Sequence, residues 1–226
     1  MGKTLKEASK MKKILIIAVG LILALGLIFA PATVKATPIL DFGIIAPTTG
    51  SISYAGGAAP LVGAGISVDN VVGLGTPLNN GVTVDLPGYF LNFSSGNFTG
   101  STSNSWIFGP GGSISIANGV TLLSGTLTSA SVIAAGGTFK VAITGFNDTK
   151  YEPMLNFYGL PTDVPYVGNF NLSFNATGLP PGAFRSTEVL SGDITNSPIP
   201  EPATMLLLGS GLIGLAGFAR RKFRKN

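Results

Sequence analysis

Apolar and polar residues alternate along much of the middle of the chain. Asn169–Ala176 sets Phe170, Leu172, Phe174 and Ala176 on one face and polar residues on the other. Thr138–Thr144 does the same with Phe139, Val141 and Ile143, and Val82–Leu86, Gly112–Ile116 and Leu127–Ile133 repeat it more briefly. A period of two sends successive side chains to opposite faces, so these segments read as strands with one face on a core and one in water. Turn clusters separate them: Gly56-Gly57, Asn79-Asn80-Gly81, Pro87-Gly88, Gly109–Gly112, Asn118-Gly119, Gly136-Gly137 and Pro180–Gly182. Asn118-Gly119, between Ser113–Ala117 and Val120–Ser124, predicts a hairpin. No long stretch carries a helical period. The pattern predicts an all-β fold, an antiparallel β-sandwich with a jelly roll as one arrangement of it, over residues 37–197.

The aromatic residues divide by context. Phe90, Phe93, Phe139, Phe170 and Phe174 lie in alternating segments and are expected in the core. Tyr151, Phe157, Tyr158 and Tyr166 lie in a proline-punctuated segment predicted irregular, where exposed rings offer a platform for sugars. Trp106, the one tryptophan, suits either role, with packing favoured.

The ends follow different patterns. Lys12-Lys13 precedes the apolar run Ile14–Ala30 and the segment Pro31–Ala36, with Val34 and Ala36 at the −3 and −1 positions of a cleavage site. This is the layout of a secretory signal over residues 1–36, an N-terminal signal helix removed on export; the alternative is an uncleaved anchor. Cleavage between Ala36 and Thr37 predicts that N-terminal sequencing of exported protein begins at Thr37; retention of Ile14–Ala30 points to the anchor instead. No twin-arginine pair precedes the apolar run, which favours the general secretory route. Met11 offers a second start codon behind the polar stretch Met1–Lys10.

At the C-terminus Pro198-Ile199-Pro200-Glu201-Pro202 is held extended by its alternating prolines. Ala203–Ala219 carries no charge; as a helix it is about 25 Å long, enough for a short transmembrane helix. Arg220, Arg221, Lys222, Arg224 and Lys225 follow, a basic cluster that holds its end in the cytoplasm and leaves the preceding domain outside. Pro200, Glu201 and Pro202, abutting a short terminal span with a basic end, resemble the PEP-CTERM sorting signal. The resemblance covers about residues 198–226. It implies an exopolysaccharide-secreting Gram-negative bacterium and a membrane-embedded exosortase that cleaves near the motif. The protein is then anchored transiently in the inner membrane and passed to the cell surface or extracellular matrix.

Charge and chemistry narrow the job of the middle. Between Thr37 and Pro200 three basic residues face eight carboxylates, a net charge of −5, so the two ends together carry +9 and bring the chain to +4. Such a domain has no basic patch for phosphate backbones, which argues against nucleic acid. Without histidine or cysteine the chain has no Ser-His or Cys-His triad, no disulfide and no thiolate or imidazole metal ligand, and no cofactor is expected. The carboxylates are spread in sequence, as on a solvated surface. Asn147–Glu152 has oxygen ligands but not the ladder of an EF-hand, and reads as a hairpin tip. Asn92, Asn97, Asn147, Asn171 and Asn175 each open an Asn-X-Ser/Thr triplet, candidate glycan acceptors in an exported chain. The expectation is a non-enzymatic structural or adhesive component of an exopolysaccharide matrix. The alternative is a lectin-like binding module or carbohydrate-active enzyme with the same tail; two close carboxylates in a cleft mark the enzyme and a flat aromatic strip the lectin.

Overall fold

The computed structural model describes residues 40–199. In chain order the elements are β1 (Leu40–Ile44), β2 (Ser51–Tyr54), β3 (Pro60–Gly73), β4 (Thr83–Ser101), β5 (Ser105–Phe108), β6 (Ser113–Asn118) and β7 (Val120–Thr126). Then come β8 (Ala130–Ala135), β9 (Thr138–Lys150), α1 (Glu152–Tyr158), β10 (Tyr166–Asn175), β11 (Phe184–Ser186) and β12 (Glu188–Pro198). The signal segment 1–36 and the span 203–219 lie outside the described residues. Among the described residues no helix is long and apolar enough to cross a membrane.

Every strand pairing is antiparallel. The order is β11-β2-β3-β1-β12-β10-β9-β7-β6-β4-β5-β8, and the extra pairings β3–β4 and β8–β9 close the network on itself. Closure is possible because long strands change partners along their length. β9 pairs with β8 over Thr138–Ile143 and with β7 over Asn147–Lys150. β4 pairs with β6 over Phe90–Ser94 and with β5 from Phe98 onward. The result is a sandwich-like β structure with one continuous hydrogen-bonded network. Its β11 end is only three residues long, a short edge that offers little template for pairing with another chain.

The alternating segments bury the predicted faces. Phe139, Val141 and Ile143 of β9 and Phe170, Leu172 and Phe174 of β10 all lie in the core. The Asn118-Gly119 hairpin is present, with Asn118 paired to Val120 across Gly119, whose φ of 69° suits glycine. Trp106 is fully buried, its ring centroid 5.2 Å from that of Phe139 and 5.0 Å from that of Phe184. Its indole N–H donates to the Gly182 carbonyl at 2.9 Å, so the one polar atom of this large side chain has a partner and the residue packs rather than binds.

Phe90 departs from expectation: it is 40 % exposed, while Phe93, Phe139, Phe170 and Phe174 are buried. Phe90 and Leu91 are neighbours on β4, and a strand turns only one of two adjacent residues inward. Leu91 and Phe93 take the inner face, so Phe90 faces out. The segment predicted irregular is also more ordered than expected. Pro153 and Glu152 start α1, where a missing N–H costs nothing and a negative charge suits the helix dipole; Gly159 ends it at φ 69°. Tyr158 on α1 is buried, its hydroxyl donating between the carbonyls of Val71 (3.1 Å) and Val82 (3.0 Å). Tyr166 is buried on β10, and Tyr151 and Phe157 remain exposed.

Asn147–Glu152 is not a hairpin tip. β9 runs on through Asn147–Lys150, and Glu152 begins α1. The reason is a bulge. Phe170 pairs with Ile143 but Gly168 pairs with Phe146, so Thr144 and Gly145 together face Asn169 alone. Gly145 takes φ 70°, and its N–H donates to the Asn169 side chain at 3.2 Å. One extra residue reverses the in-out order of everything after it. Phe139, Val141 and Ile143 point inward before the bulge; Phe146 and Asp148 do so after it. Opposite Phe146 stands Gly168, where any Cβ would meet the Phe146 ring at 2.2 Å, so the ring lies directly over the β10 backbone.

Candidate functional site

The parity change at Gly145 brings charge into the core. Asp148 and Lys150, two apart on β9, have fully buried side chains and form an ion pair between Lys150 Nζ and Asp148 Oδ1. β10 starts beside them, with Tyr166 paired to Asp148. The Lys150 ammonium stands 4.3 Å from the centroid of the Tyr166 ring, within cation–π range. The Tyr166 hydroxyl donates away from the lysine, to the Pro161 carbonyl at 2.7 Å. From the far side of β10, β12 contributes Asn196, 1 % exposed, whose Oδ1 accepts from Lys150 Nζ at 3.0 Å. The Asn196 Nδ2 donates to the Ile194 carbonyl at 3.4 Å. Asp148 Oδ2 has no hydrogen-bond partner among the described residues.

Burial dominates the electrostatics. Loss of water pulls Lys150 down from 10.5 to about 8, the Asp148 charge opposing the shift. The Asp148 carboxyl is pushed above its usual value by the same desolvation, with Lys150 opposing. Tyr166 is pushed up to about 12, by burial first and then by the charges of Asp148 and Asp163. Both members of the pair are therefore moved toward their neutral forms. A cavity of about 530 Å³ opens beside them, lined also by Thr126, Asn147, Leu155 and Val164. The site offers one amine that touches both a carboxyl and a carboxamide, all three on buried side chains. The arrangement can exchange a proton between Lys150 and Asp148, and its lowered amine has a larger neutral, nucleophilic fraction than a free lysine. Its single lining carboxylate is committed to the lysine. Among the described residues no cluster of three or more carboxylates stands ready for a metal ion.

Of the residues singled out by sequence, Tyr166 and the segment Asn147–Glu152 meet at this cluster, Asn147 lining its cavity; the others lie elsewhere. Asn92, Asn97, Asn147 and Asn171 are exposed on strand faces. Asn175 is half-buried, its amide donating to Glu188 Oε2 at 3.2 Å. These asparagines are scattered over β4, β9 and β10, and none belongs to the buried cluster. Ala36 and Thr37, the motif Pro200, Glu201 and Pro202, and the basic cluster Arg220, Arg221, Lys222, Arg224 and Lys225 lie outside the described residues. Pro198 ends β12, paired with Tyr166, and Ile199 still donates to the Pro165 carbonyl at 2.8 Å.

The buried cluster went unread because charged residues in a polar-looking stretch signal a loop. The available signal was Gly145-Phe146, a glycine followed by an aromatic residue that breaks the alternation of Thr138–Thr144.

Fold and tail together define an antiparallel all-β domain whose last strand runs into a C-terminal sorting signal. Residues 198–225 match the PEP-CTERM protein-sorting motif. The motif implies export, membrane-associated sorting of the Gram-negative kind, and an exosortase as processing partner. No curated protein and no solved structure matches the chain.

Proposed function

We propose that this protein is a non-enzymatic structural or adhesive component of an exopolysaccharide matrix, anchored briefly in the inner membrane and matured by an exosortase. The carrying observation is the sorting motif at residues 198–225, which begins on the last residue of β12. Two features of the domain support the reading. Its strands close on themselves, so a sheet exposed outside the cell presents little free edge. Its acidic surface charge and buried aromatic core suit a durable, soluble module.

The tail is the part to test. Pro200-Glu201-Pro202 is the tripeptide within the matched segment, and Glu201 supplies its one charge for recognition. Glu201→Ala is expected to leave export intact and to stop release, so that full-length protein accumulates in the inner membrane. Membrane fractionation reads this, with an epitope in the Gly136-Gly137 turn, where both glycines face open space. Maturation of Glu201→Ala at the wild-type rate rejects the processing role. Binding of exported protein to the host's purified exopolysaccharide then tests the matrix role, and absence of binding rejects it.

A further inference from the structure

We propose that Lys150 and Asn196 join through an intramolecular amide bond between their side chains, formed in the folded domain with Asp148 as acid–base partner. Lys150 Nζ lies 3.0 Å from Asn196 Oδ1, and the carboxamide carbon is only one C=O bond, about 1.2 Å, further on. Asp148 touches the same Nζ. The amine, the carboxamide and the carboxyl are all buried, and the Tyr166 ring closes one side. Ordinary amides resist amines in water because the amine is protonated, the carbonyl is unpolarised and the two meet rarely. This site lowers each obstacle. Burial favours the neutral amine and the neutral carboxylic acid. The fold supplies proximity equivalent to a very high local concentration.

The step balances without any co-reactant. Lys150 gives a proton to Asp148. The Nζ lone pair attacks Asn196 Cγ, and the carbonyl electrons move to Oδ1, which the protonated Asp148 stabilises. Asp148 delivers this proton to Nδ2, takes the second Nζ proton in its place, and finally gives that one up to the departing ammonia. The C–Nδ2 bond breaks, ammonia leaves by way of the adjoining cavity, and the carbonyl re-forms. One C–N bond is made and one is broken, nothing is oxidised or reduced, and Asp148 is regenerated.

The bond has a mechanical consequence. β9 and β12 are not neighbours; β10 lies between them. A link from Lys150 to Asn196 passes over the start of β10 and clamps three strands together. β12 is the strand that leads into the sorting tail, so any pull on the tail reaches Asn196 within a few residues. Hydrogen bonds alone let a terminal strand peel; a covalent tie from Asn196 to β9 stops peeling there.

The test is intact-mass spectrometry of the mature protein isolated from its host, with peptide mapping. The expected wild-type mass is below that of the mature sequence by one ammonia, with a branched peptide joining the segments around Lys150 and Asn196. Lys150→Met, Asp148→Ala and Asn196→Ala are expected to show the full sequence mass and no branched peptide, with folding checked by circular dichroism. If those variants fail to fold, Asn196→Asp serves instead: its reaction loses water, and its branched product is identical to that of the wild type. Wild-type protein at full sequence mass overturns the proposal. So does loss of ammonia without a branched peptide, which a ring closure at Asn80-Gly81 or Asn118-Gly119 would produce.

Discussion

Relative to the domain with Lys150 unlinked to Asn196, Asp148→Ala is expected to destabilise by about 3–5 kcal/mol, the usual cost of stranding one member of a buried ion pair. Lys150 is held away from water, and its remaining partners are the Asn196 oxygen and the face of Tyr166. Neither replaces a carboxylate. Removing both charges is a different experiment. The double variant Asp148→Leu, Lys150→Met leaves no charge to solvate and is expected to recover most of the loss, because desolvating the pair offsets much of its attraction. Urea unfolding at pH 7, followed by circular dichroism, compares the two. A double variant as unstable as the single one contradicts the account.

The same pair sets a pH dependence wherever Lys150 is a free amine, as in Asn196→Ala. Its folded value of about 8 lies below the unfolded 10.5. Between these limits the unfolded chain holds a proton that the folded chain has lost, so stability rises with pH across that window. The gain is on the order of 3 kcal/mol by pH 10.5. Asp148 acts at the other end. Its folded value is raised above 3.8, so the folded chain keeps a proton that the unfolded chain releases, and stability falls as pH rises through that range. Tyr166 lies above both windows, at about 12. Lys150→Met is expected to abolish the alkaline rise. If an amide to Asn196 has already consumed the amine, the wild type lacks the rise too, and only Asn196→Ala displays it.

Trp106→Ala is expected to cost a further large amount, about 3–5 kcal/mol, the range for deleting a buried aromatic side chain. The indole is enclosed by Phe139 and Phe184, and Phe184 in turn packs against Phe174 and Tyr54, so the cavity falls where several strands meet. Neighbouring rings cannot collapse into it without leaving their own contacts. Trp106→Phe keeps much of the packing but strips the Gly182 carbonyl of its donor, a loss of about 1–3 kcal/mol. Because Trp106 is the one tryptophan, its fluorescence reports unfolding of the wild type; the variants are followed by circular dichroism. A loss below about 1 kcal/mol for Trp106→Ala would place the indole outside the packed centre.

What the sequence determined by itself is whatever depends on near neighbours. Alternation over Thr138–Thr144 and Asn169–Ala176 is a local property of an extended backbone with one dry face, so the buried sides of β9 and β10 were legible. The Asn118-Gly119 turn was legible because the tight reversal there uses the positive φ that glycine takes freely. The sorting motif, read as a linear signal, was legible for the same reason. The tertiary structure alone decided where local patterns conflict or run out. Phe90 and Leu91 are equally apolar, and only the position of β4 against the core chose between them. The bulge at Gly145 turned Asp148 and Lys150 inward, against the expectation that charged residues lie outside; a shift of one residue in register outweighs hydropathy for every residue after it. The meeting of Lys150 with Asn196 spans 46 positions and crosses β10. No local pattern encodes that contact, because it follows from how the whole antiparallel network closes.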